Sequence, residues 1–399
     1  MEKKRLTDRE RVLRTFQRKE IDRVAWQPRL EHWYHVNKLT GKLPQAYRDT
    51  PLLGVYDDVG ASIRYWYGEG TDISTPRTYI HFEYTGGVEI REIRREKDIE
   101  VTFDTPVGTL TGRKGLAEGG LSWHYLDHPV NGPDDLAVIE YIYRHTRYRF
   151  DQDFYQEARR VIGDRGEIQF YWERSPFQRL FLEYLGIVRT CEALYDYPER
   201  IKEYLKITQE AEDELFEVLC NCPVRILNFG ENIDGRFNSP RLFSEYMVPY
   251  YRKRVDQLHR AHKYCHVHMD GVLKPLLPYI NDAGFDGIEA ATPLPQGDVT
   301  LEEIKEAMGE TILLDGIPML HFLPEYEREE FVETSKKVID LFAPRLILGI
   351  SDEISPPGDI ERVREVSQLV DEYSGICPSG SETDKGRGRR SGEGEAGNC

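Results

Sequence analysis

Long apolar runs are missing from this chain of 399 residues. No stretch approaches the ~20 apolar residues that a membrane-spanning helix needs. The opening Met1-Glu2-Lys3-Lys4-Arg5 is charged and leads into no hydrophobic segment, so no signal peptide is expected and a cytoplasmic protein is. Cysteine is scarce: six residues cannot build a disulfide scaffold. The one close pair, Cys220 and Cys222, has no second pair at metal-binding spacing and reads as small buried residues. Positive charge is also short. Lys and Arg number 53 against 70 Asp and Glu, for a net charge of −17. That balance argues against nucleic acid and against an anionic membrane surface as partners. No Gly-x-Gly-x-x-Gly follows a strand-like run, which withdraws support from a dinucleotide fold.

What is present is an alternation of strand-like and helix-like runs. Residues 167–172, 224–229, 264–269, 285–289, 311–315 and 346–350 read as buried strands, and Val24-Ala25-Trp26 as an early one. Helices between them carry their own start signals. Thr7 with Glu10 and Thr300 with Glu303 have capping-box spacing, Ser239 precedes Pro240, and Pro198 opens a long amphipathic run. Alternation of this kind implies a parallel sheet with helical crossovers, and the strand count fits an α/β (β/α)8 TIM barrel. Residues 79–125 break the pattern. Val88–Ile93, Ile99–Phe103 and Gly108–Gly112 alternate apolar and polar residues, as an antiparallel meander with one wet face does. This N-terminal β insertion is expected to wall one side of the barrel mouth. Residues 1–375 thus read as one domain, and 376–399, without hydrophobic pattern, as a disordered tail.

Enzymes on such barrels place their chemistry at the C-terminal strand ends. There the chain sets Trp172-Glu173-Arg174, Glu231-Asn232, His268 with Asp270, Glu289, Asp315 and Asp352-Glu353. In Cys265-His266-Val267-His268-Met269-Asp270-Gly271, strand alternation turns His266, His268 and Asp270 to one face. The bland alternative is a pair of core histidines beside a capping aspartate. Converging carboxylates repel unless protonated or holding a cation, so His268, Asp270, Asp352 and Glu289 form a candidate Zn²⁺ site with an open position. Asp234 and Glu353 read instead as helix caps. Glu231, Glu289 and Asp352 are the candidate catalytic carboxylates. Trp26, Arg29 and Trp172 are candidate substrate contacts.

The chain also resembles the uroporphyrinogen decarboxylase superfamily, and within it the zinc- and corrinoid-dependent methyltransferases. The carrying stretches are Ser239-Pro240-Arg241-Leu242-Phe243 with Pro249-Tyr250, His268-Met269-Asp270-Gly271, Gly284-Phe285-Asp286-Gly287, and Asp352-Glu353-Ile354-Ser355-Pro356-Pro357-Gly358. Ser175-Pro176-Phe177 and Thr105-Pro106-Val107-Gly108 match as well. In the thiol-methylating branch a His-x-Cys pair and a later Cys bind zinc; those positions here are His268, Asp270 and Asp352. Both cysteines are replaced by aspartate. Carboxylates still ligate zinc, but leave it harder and better suited to an oxygen ligand. The resemblance therefore implies transfer of a methyl group from a methylated oxygen compound, such as an aryl methyl ether, to a corrinoid on a separate protein. No Asp-x-His-x-x-Gly corrinoid motif occurs in this chain. Alternatives are a uroporphyrinogen decarboxylase-type decarboxylation, for which the Arg-Gln-Ala-Gly-Arg signature is missing, a metal-dependent hydrolysis or decarboxylation of an aromatic acid, and a non-catalytic small-molecule-binding barrel.

Overall fold

Seven short apolar segments form one curled parallel sheet. They are β1 (Ala25–Trp26), β2 (Gln169–Tyr171), β3 (Ile226–Ile233), β4 (Tyr264–Met269), β5 (Gly287–Glu289), β6 (Ile312–Pro318) and β7 (Leu346–Ser351). Their order in the sheet is β1-β7-β6-β5-β4-β3-β2, with every pairing parallel. The computed structural model describes residues 5–68, 77–117 and 122–373. The tail expected to be disordered lies outside the described residues. None of the described helices is long and apolar enough to cross a membrane.

Strands buried on both faces need near-continuous hydrophobic sequence. β4, β6 and β7 supply it, with almost every residue buried. Helices Val248–Arg260, Leu301–Met308, Arg328–Phe342 and Ile360–Tyr373 cover the outside. Both capping boxes form as expected, at Thr7 with Glu10 and at Thr300 with Glu303.

The expected eight-stranded closure takes a different form. The gap between β1 and β2 is filled by residues 61–67, which run extended but pair too sparsely to be a strand. Ser62 donates its N–H to Trp26 O (2.8 Å) and Ile63 to Arg165 O (3.1 Å). Gln27, just past β1, donates its side-chain amide to Ser62 Oγ and Ile63 O. It also lies 3.5 Å from Gln169 of β2, so the two edges of the sheet approach each other.

The insertion is larger than expected. Glu89–Arg94, Asp98–Thr105, Gly108–Leu116 and Trp123–Asp127 form a four-stranded antiparallel sheet. A separate ribbon pairs Ile80–Tyr84 with Thr146–Phe150. The second strand of that ribbon escapes a sequence reading because its partner is distant in the chain.

Gly166 lets the filling segment close. A Cβ there would stand 2.1 Å from the carbonyl oxygen of Ile63. Because the obstacle is backbone, Gly166→Ala is expected to cost about 1–3 kcal/mol, the usual penalty of overpacking. A urea midpoint unchanged from wild type would contradict this.

Candidate active site

A cavity of about 470 Å³ opens at the C-terminal ends of the strands. Arg29, His268, Glu289 and Asp352 line its floor; Phe82, Tyr171 and Trp172 supply aromatic wall. Phe82 comes from the Ile80–Tyr84 ribbon, so the insertion region does reach the mouth.

Glu289 ends β5 and is fully buried. Its Oε1 accepts from Arg64 Nη1 (2.7 Å) and Tyr65 OH (2.8 Å). Its Oε2 accepts from Asn228 Nδ2 (2.7 Å) and pairs with His268 Nδ1 (3.1 Å). Each oxygen is thus engaged by two protein donors. Burial alone would push this carboxyl up, but the His268 hydrogen bond and the Arg64 charge hold it well below its ordinary value. Arg64 continues to Asp315 with contacts of 2.7 and 3.2 Å, and Asp315 also accepts from Ala290 N–H. Burial raises Asp315 to about 6.

His268 follows from this anchoring. Glu289 is its cross-strand neighbour, and the hydrogen bond fixes Nδ1 as the donor side. Its Nε2 is buried without a hydrogen-bond partner and lies 3.9 Å from Asp352 Oδ2. Burial pulls the imidazole down, yet Asp352 and Glu289 outweigh it and hold the ring at about 9. Asp270 belongs to the same field. Its carboxyl is raised by burial, opposed by His268 and raised further by Asp352. Asp352 in turn accepts from Arg29 Nη1 at 2.5 Å. Arg29 Nη2 stands 3.6 Å from Glu353, whose carboxyl burial raises to about 7.

The other sequence-selected residues divide by strand parity. Asn228, Gly230 and Asn232 line the cavity, so Glu231 between them points away. It accepts from Ser175 N–H and Oγ, both at 2.8 Å, and is raised to about 7 by burial. Trp26 likewise lies in the core, 1% exposed, while Gln27 and Arg29 face inward. Neither Trp26 nor Glu231 is a cavity residue; Arg29 and Trp172 are. His266 sits one layer deeper, 3.0 Å from Gln169, and burial lowers it to about 3.

The expected metal set is more open than a closed cluster. Among the described residues, only His259, Cys265 and Asp286 have ligand atoms all within 4.8 Å of one another. The sequence reading missed Arg64, Tyr65 and Asn228. The alternation of Ser62 and Arg64 with Ile63 and Tyr65 was the one local signal for Arg64 and Tyr65. Strain also concentrates here. Asn232 (φ 53°) and Ala290 (φ 65°), at strand ends, and Asp315 (φ 85°), inside β6, are non-glycine residues in the left-handed region.

The comparisons agree with this architecture. In class, the fold is a curled parallel α/β sheet with its cavity at the strand ends. Residues 181–373, which carry β3 to β7, match the uroporphyrinogen decarboxylase (URO-D) family model. A methyltransferase from Methanosarcina mazei superposes with a TM-score of 0.56 at 14% identity, over 92% of this chain and 99% of that one. A B12-independent methionine synthase from Shewanella sp. W3-18-1 aligns more loosely, with a TM-score of 0.38 at 12% identity over 80% and 86% of the two chains. No curated protein matches the chain.

Two outcomes follow from the buried charges. Arg64→Met strands two carboxylates and is expected to cost about 3–5 kcal/mol by denaturant titration; a loss within ±0.5 kcal/mol would contradict the assigned role. Glu231 has its folded pKa raised to about 7. Its favourable contribution is therefore complete below the unfolded value near 4.5 and lost as pH rises through about 7. Glu231→Gln should flatten the pH dependence of stability across that window, and an unchanged slope would refute the assignment.

Proposed function

We propose that the protein is a zinc-dependent methyltransferase that takes a methyl group from an oxygen-linked donor and passes it to a corrinoid protein. One observation carries the reading. His268 Nε2 is buried, unpartnered and turned toward Asp352, while its Nδ1 is held by a carboxylate. That is the geometry in which a metal-binding imidazole is oriented by a second carboxylate behind it. In this reading His268, Asp352 and Asp270 hold the ion, and Glu289, whose oxygens are taken by protein donors, orients His268 instead of ligating. The donor types suit zinc, one imidazole and two carboxylates that repel each other, and their ligand atoms, which do not all lie within 4.8 Å of one another, would have to close on the ion.

Zinc bound there supplies Lewis acidity toward a substrate oxygen. The chain's residues do the rest. Phe82, Tyr171 and Trp172 hold a planar ring against the floor. Arg29, anchored on Asp352 and lying 5.8 Å from the Tyr65 ring centroid, adds positive charge where a phenolate oxygen would develop. The carbon–oxygen bond breaks with its electron pair left on oxygen, and the methyl group leaves to an acceptor that must reach the open mouth. An aryl methyl ether suits this wall and this charge.

Decarboxylation of a polycarboxylate fits less well. Such a substrate needs several free cationic groups, yet Arg64 and Arg174 are committed to Glu289 and Asp315 and to Glu183, which leaves a single Arg29, itself anchored on Asp352.

The test mixes the purified protein with reduced corrinoid protein and a panel of methoxylated aromatics while following the cobalt spectrum. Wild type should methylate cobalt with at least one donor. His268→Ala should lose its zinc and at least about 100-fold of the rate. Absence of transfer from every donor, or full activity in His268→Ala, would overturn the proposal.

A further inference from the structure

We infer that the protein holds a second zinc site at the opposite end of the sheet, made by His259, Cys265 and Asp286. Their ligand atoms all lie within 4.8 Å of one another. Three donors around one zinc stand roughly 3.3–3.8 Å apart, given metal–ligand bonds of about 2.0–2.3 Å, so this spacing needs only local closure.

The donors come from three separate elements. His259 sits in the last turn of helix Val248–Arg260, Cys265 is the second residue of β4, and Asp286 immediately precedes β5. Backbone pairing fixes two of them side by side. Asp286 donates its N–H to Cys265 O (2.8 Å), and Cys265 donates its own to Asp286 Oδ2 (2.8 Å). His259 Nε2 reaches the same oxygen at 2.9 Å. The Cys265 thiol is fully buried, while the His259 side chain is 39% exposed. An ion would thus enter from the helix side and keep a solvent position. Imidazole, thiolate and carboxylate together are a donor set for a borderline-soft divalent ion, which selects zinc over magnesium or calcium.

This site is distinct from the cavity. Cys265 and His268 have opposite strand parity, so their side chains leave opposite faces of β4. Its role would be to clamp a crossover helix to two neighbouring strands. The inference does not rest on the proposed methyl transfer.

Zinc equivalents bound per full-length chain decide the matter, with cadmium as a spectroscopic probe of thiolate ligation. Cys265→Ser and the more exposed His259→Ala should each bind one equivalent fewer than wild type, and Cys265→Ser should lose a sulfur-to-cadmium charge-transfer band that wild type shows. His259→Ala keeps the test decisive if the buried Cys265→Ser fails to fold. Undiminished zinc in His259→Ala, or an unchanged cadmium band in a folded Cys265→Ser, overturns the site. Failure of the cavity reading is separate: it appears as undiminished zinc in His268→Ala.

Discussion

A single buried guanidinium organises the interior of this protein. Arg64 is buried and bridges Glu289, at the end of β5, and Asp315, inside the adjacent β6. Two carboxylates in an apolar sheet are costly unless a cation with a fixed fork of donors compensates them. Arg64 reaches them because residues 61–67 fill the gap between the sheet edges, and that filling depends on the bare backbone of Gly166. The closure of the sheet and the charge balance of the site are therefore one structural fact.

From that anchor the order of the cavity floor follows outward. Glu289, fixed by Arg64, Tyr65 and Asn228, fixes one nitrogen of His268 and so frees the other. Asp352 lies 3.9 Å from the same ring, and Asp270, outside the cavity lining, feels its charge. Arg29 holds Asp352 through a 2.5 Å contact. The site is polarised in depth: a saturated, rigid layer below and an unsatisfied layer above. Such an arrangement preorganises a ligand atom before any partner arrives.

Much of this was legible from sequence. The runs at 264–269 and 346–350 announced β4 and β7 almost residue for residue, the second because a strand buried on both faces carries few polar interruptions. Strand-end position picked out His268, Glu289, Asp352, Arg29 and Trp172, which line the cavity. It failed for Glu231 and Trp26, whose parity sends them outward, and parity is set only once an inward neighbour such as Asn228 or Gln27 is known. Arg64 escaped because its segment shows strand-like alternation without a strand's ladder. The His259, Cys265 and Asp286 cluster was invisible for another reason: its members are joined by tertiary packing, with no shared local period.

The account stands or falls on what His268 Nε2 faces. Crystals of the full chain grown with saturating zinc, measured at the zinc absorption edge, address that directly. The expected result is an anomalous peak about 2.0–2.1 Å from His268 Nε2, with Asp352 moved in from its present 3.9 Å separation to share the ion. A zinc-saturated crystal with no peak at His268, and its Nε2 bonded instead to a protein or solvent group, would contradict the claim.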